Sequence, residues 1–212
     1  MQQLHVKLTL TEEMLGMSNP DYETQKDFIA CNAVNENGEP DKTRSQEELD
    51  AIAEYGEEVE GEELEARPAT VFPRKDGQPI MWDYQIKGMF KDFCGMLRRV
   101  PGTHSNKCAA FKKVIDGLVF VQPRAIPIQV NGDMGRCKRV LRANTPKGER
   151  TAIAESETVP AGSTIEFTVL CQSNKEEDIK LVKEWLDYGQ WRGMGQWRNS
   201  GKGTFTWEEI PD

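Results

Sequence analysis

Hydrophobic and polar positions alternate at the start of the chain: Leu4, Val6, Leu8 and Leu10 fall on one side, His5, Lys7 and Thr9 on the other. A period of two marks a strand with one buried face. The next ordered pattern begins after residue 67, where an RKDG turn at 74–77 separates two short extended pieces. The period then changes. Ile86, Met89, Phe90, Phe93, Met96 and Leu97 make an apolar stripe at helical spacing, which predicts a helix over 84–99 with Asp83 as its N-cap. Arg98 and Arg99 load its last turn, where positive charge suits the helix dipole. Ala109, Ala110, Phe111, Val114 and Ile115 predict a short helix over 106–116. LVFV (118–121) reads as a buried strand, and Ile126, Ile128 and Val130 mark one face of another. Residues 134–150 show no hydrophobic period and read as an irregular arm. Ile165, Phe167, Val169 and Cys171 alternate again. A helix over 176–188 carries Ile179, Val182, Trp185 and Leu186, with Gly189 as its stop. The last strand, 204–210, sets Phe205 and Trp207 on one face.

With residues 21–67 removed, the order is β-α-β-β-α-β. That is the order of an α+β, ferredoxin-like (RRM-like) core, with four strands in one antiparallel sheet. The expectation is a single domain over 1–212. Strands 4–10, 118–121, 165–171 and 204–210 share the sheet, helices 84–99 and 176–188 cover one face, and the other face is free to bind.

Charge changes the picture. The chain carries a net −8, but residues 21–67 hold 16 acids and 4 bases, whereas 68–212 carry a net +5. Residues 21–67 therefore read as an acidic, partly flexible insertion with few contacts to the core, so that deleting about 25–65 is expected to leave the fold intact. A capping box at Ser45 and Glu48 predicts a short helix within it. The arm, bounded at 131–160, is basic through Arg136, Lys138, Arg139, Arg142, Lys147 and Arg150. Five scattered cysteines without a CxxC pair and two histidines argue against a disulfide framework or a metal site. No metal and no cofactor is expected. No apolar run approaches bilayer length and the N-terminus lacks a signal pattern. This leads to an expectation of a cytoplasmic protein without a membrane partner, in a bacterium or, if virus-encoded, in the host cell.

The densest chemistry lies near the C-terminus. GQWRGMGQWRNSGKGTFTW (189–207) holds five glycines, three tryptophans, two arginines and a lysine. Glycines let backbone N–H groups approach phosphates as an anion-binding nest. Trp191 and Trp197 can stack on bases, or else pack in the core as Trp185 and Trp207 do by their spacing. Arg192, Arg198 and Lys202 can neutralise phosphates.

Four stretches in order carry a family resemblance: KLTLTEEMLGM, the Lys87–Gly88 pair opening a basic amphipathic helix, ETVPAGSTIEF with Pro160, Gly162 and Phe167, and the loop Gly193, Gly195, Gly201 and Gly203. The chain resembles the RAMP superfamily, the repeat-associated proteins of CRISPR effector complexes, and within it the backbone subunits that polymerise along guide RNA. The resemblance implies a nucleic-acid surface built from the first helix's N-terminus, the glycine loop and an extended thumb-like hairpin. In some members an aspartate after the first strand cuts target RNA. Asp21, Asp27 and Asp41 lie in the matching region, and none is assigned a catalytic role.

The expected site is Lys87, Lys91, Arg136, Arg139, Arg192, Trp197, Arg198 and Lys202, with the four loop glycines. The expected function is non-enzymatic binding of single-stranded RNA, in multiple copies or with other CRISPR-type subunits. Two alternatives stand beside it: a virus-encoded decoy that mimics such a subunit and inhibits the complex, and a standalone single-stranded DNA-binding protein. A hydrolase ranks last, because no catalytic triad or phosphate-binding lysine motif appears.

Overall fold

A computed structural model of the chain describes residues 1–22, 24, 42–58, 68–146, 148–172 and 176–211. Strand β1 (Gln2–Leu10) buries Leu4, Val6, Leu8 and Leu10, as its alternation dictates. It runs antiparallel between β9 (Thr164–Cys171) and β10 (Phe205–Glu209). The other edge of β9 pairs with β5 (Val119–Gln122) along one part and β6 (Ala125–Gln129) along another. From β6 the sheet continues to β4 (Gln78–Trp82) and β3 (Arg74–Lys75). The result is a seven-stranded antiparallel sheet that holds all four strands expected to share one. A second sheet joins β2 (Met14–Leu15) to the hairpin of β7 (Gly135–Thr145) and β8 (Gly148–Val159).

Four α-helices accompany the sheets among the described residues: α1 (Lys42–Glu58), α2 (Asp83–Leu97), α3 (Phe111–Leu118) and α4 (Glu176–Arg192). The fold is thus mixed α+β. Helices α2 and α4 pack on each other, with Phe90 and Trp185 rings 5.5 Å apart and Phe93 meeting Tyr188 edge-on at 5.6 Å. Their apolar stripes share one core with the inward side chains of β1, β5, β6 and β9. Trp185 is buried and donates its indole N–H to Ser105 Oγ at 2.9 Å. Both expected core tryptophans pack inward, Trp207 less completely.

Several expectations are corrected. Asp83 is the first residue of α2, not its cap. Trp82 holds the cap position and donates its backbone N–H to Gln85 Oε1 at 2.8 Å. Gly189 does not stop α4. It lies inside the helix because a Cβ there would sit 2.6 Å from the Phe93 ring and 2.7 Å from Phe205. The stop is Gly193, at φ 73°. Residues 134–150 are not irregular: the β7–β8 ladder runs unbroken from Gly135↔Thr158 to Thr145↔Gly148. Hydrophobic period misses this ribbon because most of it lies over solvent, so no face of it has to be apolar.

The acidic stretch is more firmly attached than its charge suggests. Leu49, Ala51, Ile52 and Tyr55 of α1 are all buried. Two arginines hold the helix. Arg124 binds Glu47 at 2.9 Å and Glu48 at 2.5 Å, and burial raises the Glu48 pKa. Arg74, 3% exposed, binds Glu58 at 2.7 Å and Glu157 at 2.5 Å and lies over the Tyr55 ring. Glu157 also accepts the Phe72 backbone N–H at 2.9 Å. One buried cation thereby ties α1, β3 and the base of the hairpin together. The expectation of few core contacts fails for α1, and the remainder of 21–67, apart from residues 21, 22 and 24, lies outside the described residues.

Candidate nucleic-acid interface

The glycine loop (193–203) connects α4 to β10, and backbone crowding explains its composition. Gly193, Gly195, Gly201 and Gly203 all have positive φ. A Cβ at Gly203 would lie 2.0 Å from the Met194 carbonyl oxygen, and one at Gly193 2.5 Å from that of Lys202. The two arms of the loop are pressed backbone to backbone. This limits the expected nest. Gly193 N–H donates to the Gly189 carbonyl at 2.8 Å, Gly201 N–H to that of Arg198 at 3.0 Å, and Gly203 N–H to that of Glu13 at 2.8 Å. Three of the four glycine donors are engaged internally.

What the loop presents is its side chains. Trp191, at the last turn of α4, is 85% exposed, and Trp197 is 40% exposed; neither is a core residue. Trp197 has φ 56°, an uncommon backbone for a bulky residue. The Arg139 guanidinium, reaching over from β7, stands 5.5 Å from the Trp197 ring centroid and donates to Gln196 Oε1 at 2.5 Å. Here the hairpin and the loop meet.

On the α2 side, Asp92 gathers two loop-end arginines. Its Oδ2 lies 3.2 Å from Arg192 Nε and 2.7 Å from Arg198 Nη1. Arg192 donates a second bond to Asn199 Oδ1 at 2.9 Å. Lys202 binds Glu13 at 2.6 Å, a bond that raises its pKa. A cleft of about 180 Å³ between the start of α2 and the loop is lined by Met17, Gln85, Gly88, Asp92, Gly195 and Arg198.

The structure therefore brings Arg139, Arg192, Trp197, Arg198 and Lys202 around one loop. Lys87 and Lys91 sit elsewhere on α2, turned toward α3. Lys87 donates to the Asp116 carbonyl at 3.0 Å, lies over the Phe120 ring, and has its pKa lowered by burial. Lys91 pairs with the Asp116 carboxylate. Arg136 and Lys138 occupy the hairpin face opposite Arg139 and share Glu155, at 3.9 and 3.2 Å. Asp21 accepts the Thr24 backbone N–H at 2.8 Å, and its pKa is lowered by its hydrogen bonds to Thr24; Asp27 and Asp41 lie outside the described residues. Sequence reasoning missed Asp92, whose neighbours on α2 are mostly basic or apolar. It weighed Trp191 but left it off the expected site, because a tryptophan beside a core helix reads equally as packing.

No protein-family model matches the chain, and no curated protein matches it. No helix among the described residues is long and apolar enough to cross a membrane. Chains of three solved structures are similar to this one. One is the cryo-EM structure of the Type III-B Cmr-beta bound to cognate target RNA, at 13% identity and a TM-score of 0.49, covering 99% of this chain and 59% of that one. A chain of a Type IV-B CRISPR complex is similar at 10% identity and 0.45, covering 99% of this chain and 90% of that one. The crystal structure of Cmr4 is similar at 11% identity and 0.44, covering 99% and 100%. This chain spans 59% of the length of the first of them.

Proposed function

We propose that this chain is a non-enzymatic single-stranded RNA-binding protein, a RAMP-like subunit working in multiple copies or with other CRISPR-type subunits. We read the strand order β10-β1-β9-β5, with α2 and α4 as its crossovers, as a ferredoxin-like core, and the β7–β8 hairpin as its thumb. The observation that carries the reading is the meeting of Arg139 with Gln196 and Trp197, because it sets a guanidinium, an amide and an exposed ring on one surface. Guanidinium suits phosphate bidentately, and an aromatic face suits any base. Arg192 and Arg198 extend the positive surface toward α2. The glycines serve by holding the loop in shape rather than by lending N–H groups to the ligand.

Fluorescence anisotropy with labelled single-stranded RNA and DNA at several salt concentrations tests this. Arg198→Ala should weaken binding for every sequence and flatten the salt slope by about 0.7, one single-strand phosphate contact. Trp197→Ala should cost ~1–3 kcal/mol with the slope unchanged. Equal affinity for DNA would favour the standalone DNA-binding reading.

One observation favours a second reading. Lys91, Arg136, Arg192, Arg198 and Lys202 each have a carboxylate within 4.0 Å in the free chain. A surface neutralised from within suits an interaction protein that mimics such a subunit without holding its nucleic acid. Failure of the isolated chain to bind any oligonucleotide at low salt would select that reading.

A further inference from the structure

A second strongly basic stretch lies outside the expected site. Residues 98–115 carry Arg98, Arg99, Lys107, Lys112 and Lys113 and no acid at all. None of these five has an ion-pair partner among the described residues, in contrast to Arg192, Arg198 and Lys202 at the glycine loop. Three of them, Arg98, Arg99 and Lys112, line a groove of about 560 Å³ between α2 and α3, together with Lys91, Asp92 and Phe111 among others. The floor is partly apolar. The Arg98 guanidinium lies 5.0 Å from the Phe111 ring centroid, and the edge of that ring packs beside Gly95.

The groove adjoins the loop cleft. Asp92 lines both, and Arg198 of the cleft bonds the same carboxylate. From this geometry we infer that the α2–α3 groove is a second segment of the nucleic-acid path, taking the phosphate backbone of a strand that continues past the glycine loop. Lys91 and Arg98–Arg99 lie two helical turns apart, roughly 11 Å along the axis, a separation that spans more than one backbone phosphate. An acidic polypeptide would satisfy the charge. Continuity with the cleft and the ring beneath Arg98 favour a nucleic acid, whose bases and sugars can use an apolar floor. The inference rests on the reading above for the class of ligand, but not for the charge of the groove.

The test compares two labelled oligouridylates, one short enough for the loop cleft alone and one about twice as long. The triple variant Arg98→Ala/Arg99→Ala/Lys112→Ala should leave the short probe's affinity unchanged. For the long probe it should weaken binding and flatten the log–log salt slope by about 2, three single-strand contacts at ~0.7 each. A charge-matched control, Lys7→Ala/Lys75→Ala/Lys183→Ala, removes three cations that pair with Glu208, Glu47 and Glu209 elsewhere, and thermal melting checks that both variants fold. If the triple variant and the control respond alike on the long probe, the groove is not part of the path, whatever the loop does. If Arg198→Ala and Trp197→Ala leave the short probe unaffected while the triple variant still loses the long one, the groove binds and the loop reading fails instead. Binding of polyglutamate in place of either RNA would overturn the inference in favour of an acidic protein partner.

Discussion

Replacing Asp92 with asparagine should tighten nucleic-acid binding while slightly weakening the fold. On the proposed reading Asp92 occupies the place of a phosphate, bonded to Arg192 and Arg198 at 3.2 and 2.7 Å. All three side chains are 25–29% exposed, so each pair is solvated and worth ~0.2–1 kcal/mol. Losing both costs the fold about 1 kcal/mol, a melting shift of roughly 2–4 °C for a chain of this size. For the ligand the balance reverses. A strand approaching the native site must displace the carboxylate or share the arginines with it. With asparagine there, two guanidinium groups become available, and the salt slope should steepen by up to about 1.4. Anisotropy with a labelled single-stranded RNA across a salt series, beside a thermal melt, reads both effects. An unchanged affinity and slope would mean that neither arginine meets a phosphate. A lower affinity in a folded variant would mean that Asp92 holds the arginines in place for the ligand rather than occupying them.

Gly203→Ala should destabilise by at least ~2 kcal/mol, since it adds a backbone clash with Met194 to a left-handed φ. Gly201→Ala, with open space around its Cβ, should cost only ~1–2 kcal/mol in the same urea titration. Arg74→Ala should cost about 3–5 kcal/mol by leaving Glu157 buried without its cation, and equal stability of the variant would show that the α1–hairpin tie is dispensable. Trp191→Ala should leave the melting temperature within experimental scatter because the ring is exposed, while lowering oligonucleotide affinity by ~1–3 kcal/mol if a base stacks there.

The parts of the fold that were legible in the sequence are those where burial imposes a period. β1, β9, α2 and α4 each put an apolar residue wherever geometry turns a side chain inward, and the sheet and its helical layer follow from them. The hairpin was invisible because a ribbon lying over solvent needs no apolar face. The attachment of helix α1, though not the helix itself, was discounted because its acids outnumber its apolar residues, yet four inward side chains and two arginines contributed from β3 and the segment before β6 suffice to fix it. The glycines were seen as candidates but explained differently: Gly189 and Gly203 are forced by contacts with Phe93 and Met194, neither of which can be inferred from spacing along the chain. Of the site, the loop residues were legible because cations, rings and glycines are concentrated there. Lys87 and Lys91 lie apart from the loop, because which way a helix face turns depends on the helix packed beside it, and both contact Asp116 of α3.

The hairpin has a mechanical consequence. It is clamped at its base, where Glu157 meets Arg74, and braced partway along, where Arg139 meets Gln196. Its 11-residue strand is about 37 Å long, so it behaves as a propped cantilever with roughly 20 Å of overhang beyond the brace. Val140 and Ile153, 59% and 73% exposed, ride on that overhang. A rotation of about 5° at the clamp would sweep the far end through roughly 3 Å, an arc comparable to the rise between neighbouring strand residues. Stiffness at the buried Arg74 clamp and the Arg139 brace together sets how accurately the far end of the ribbon is aimed.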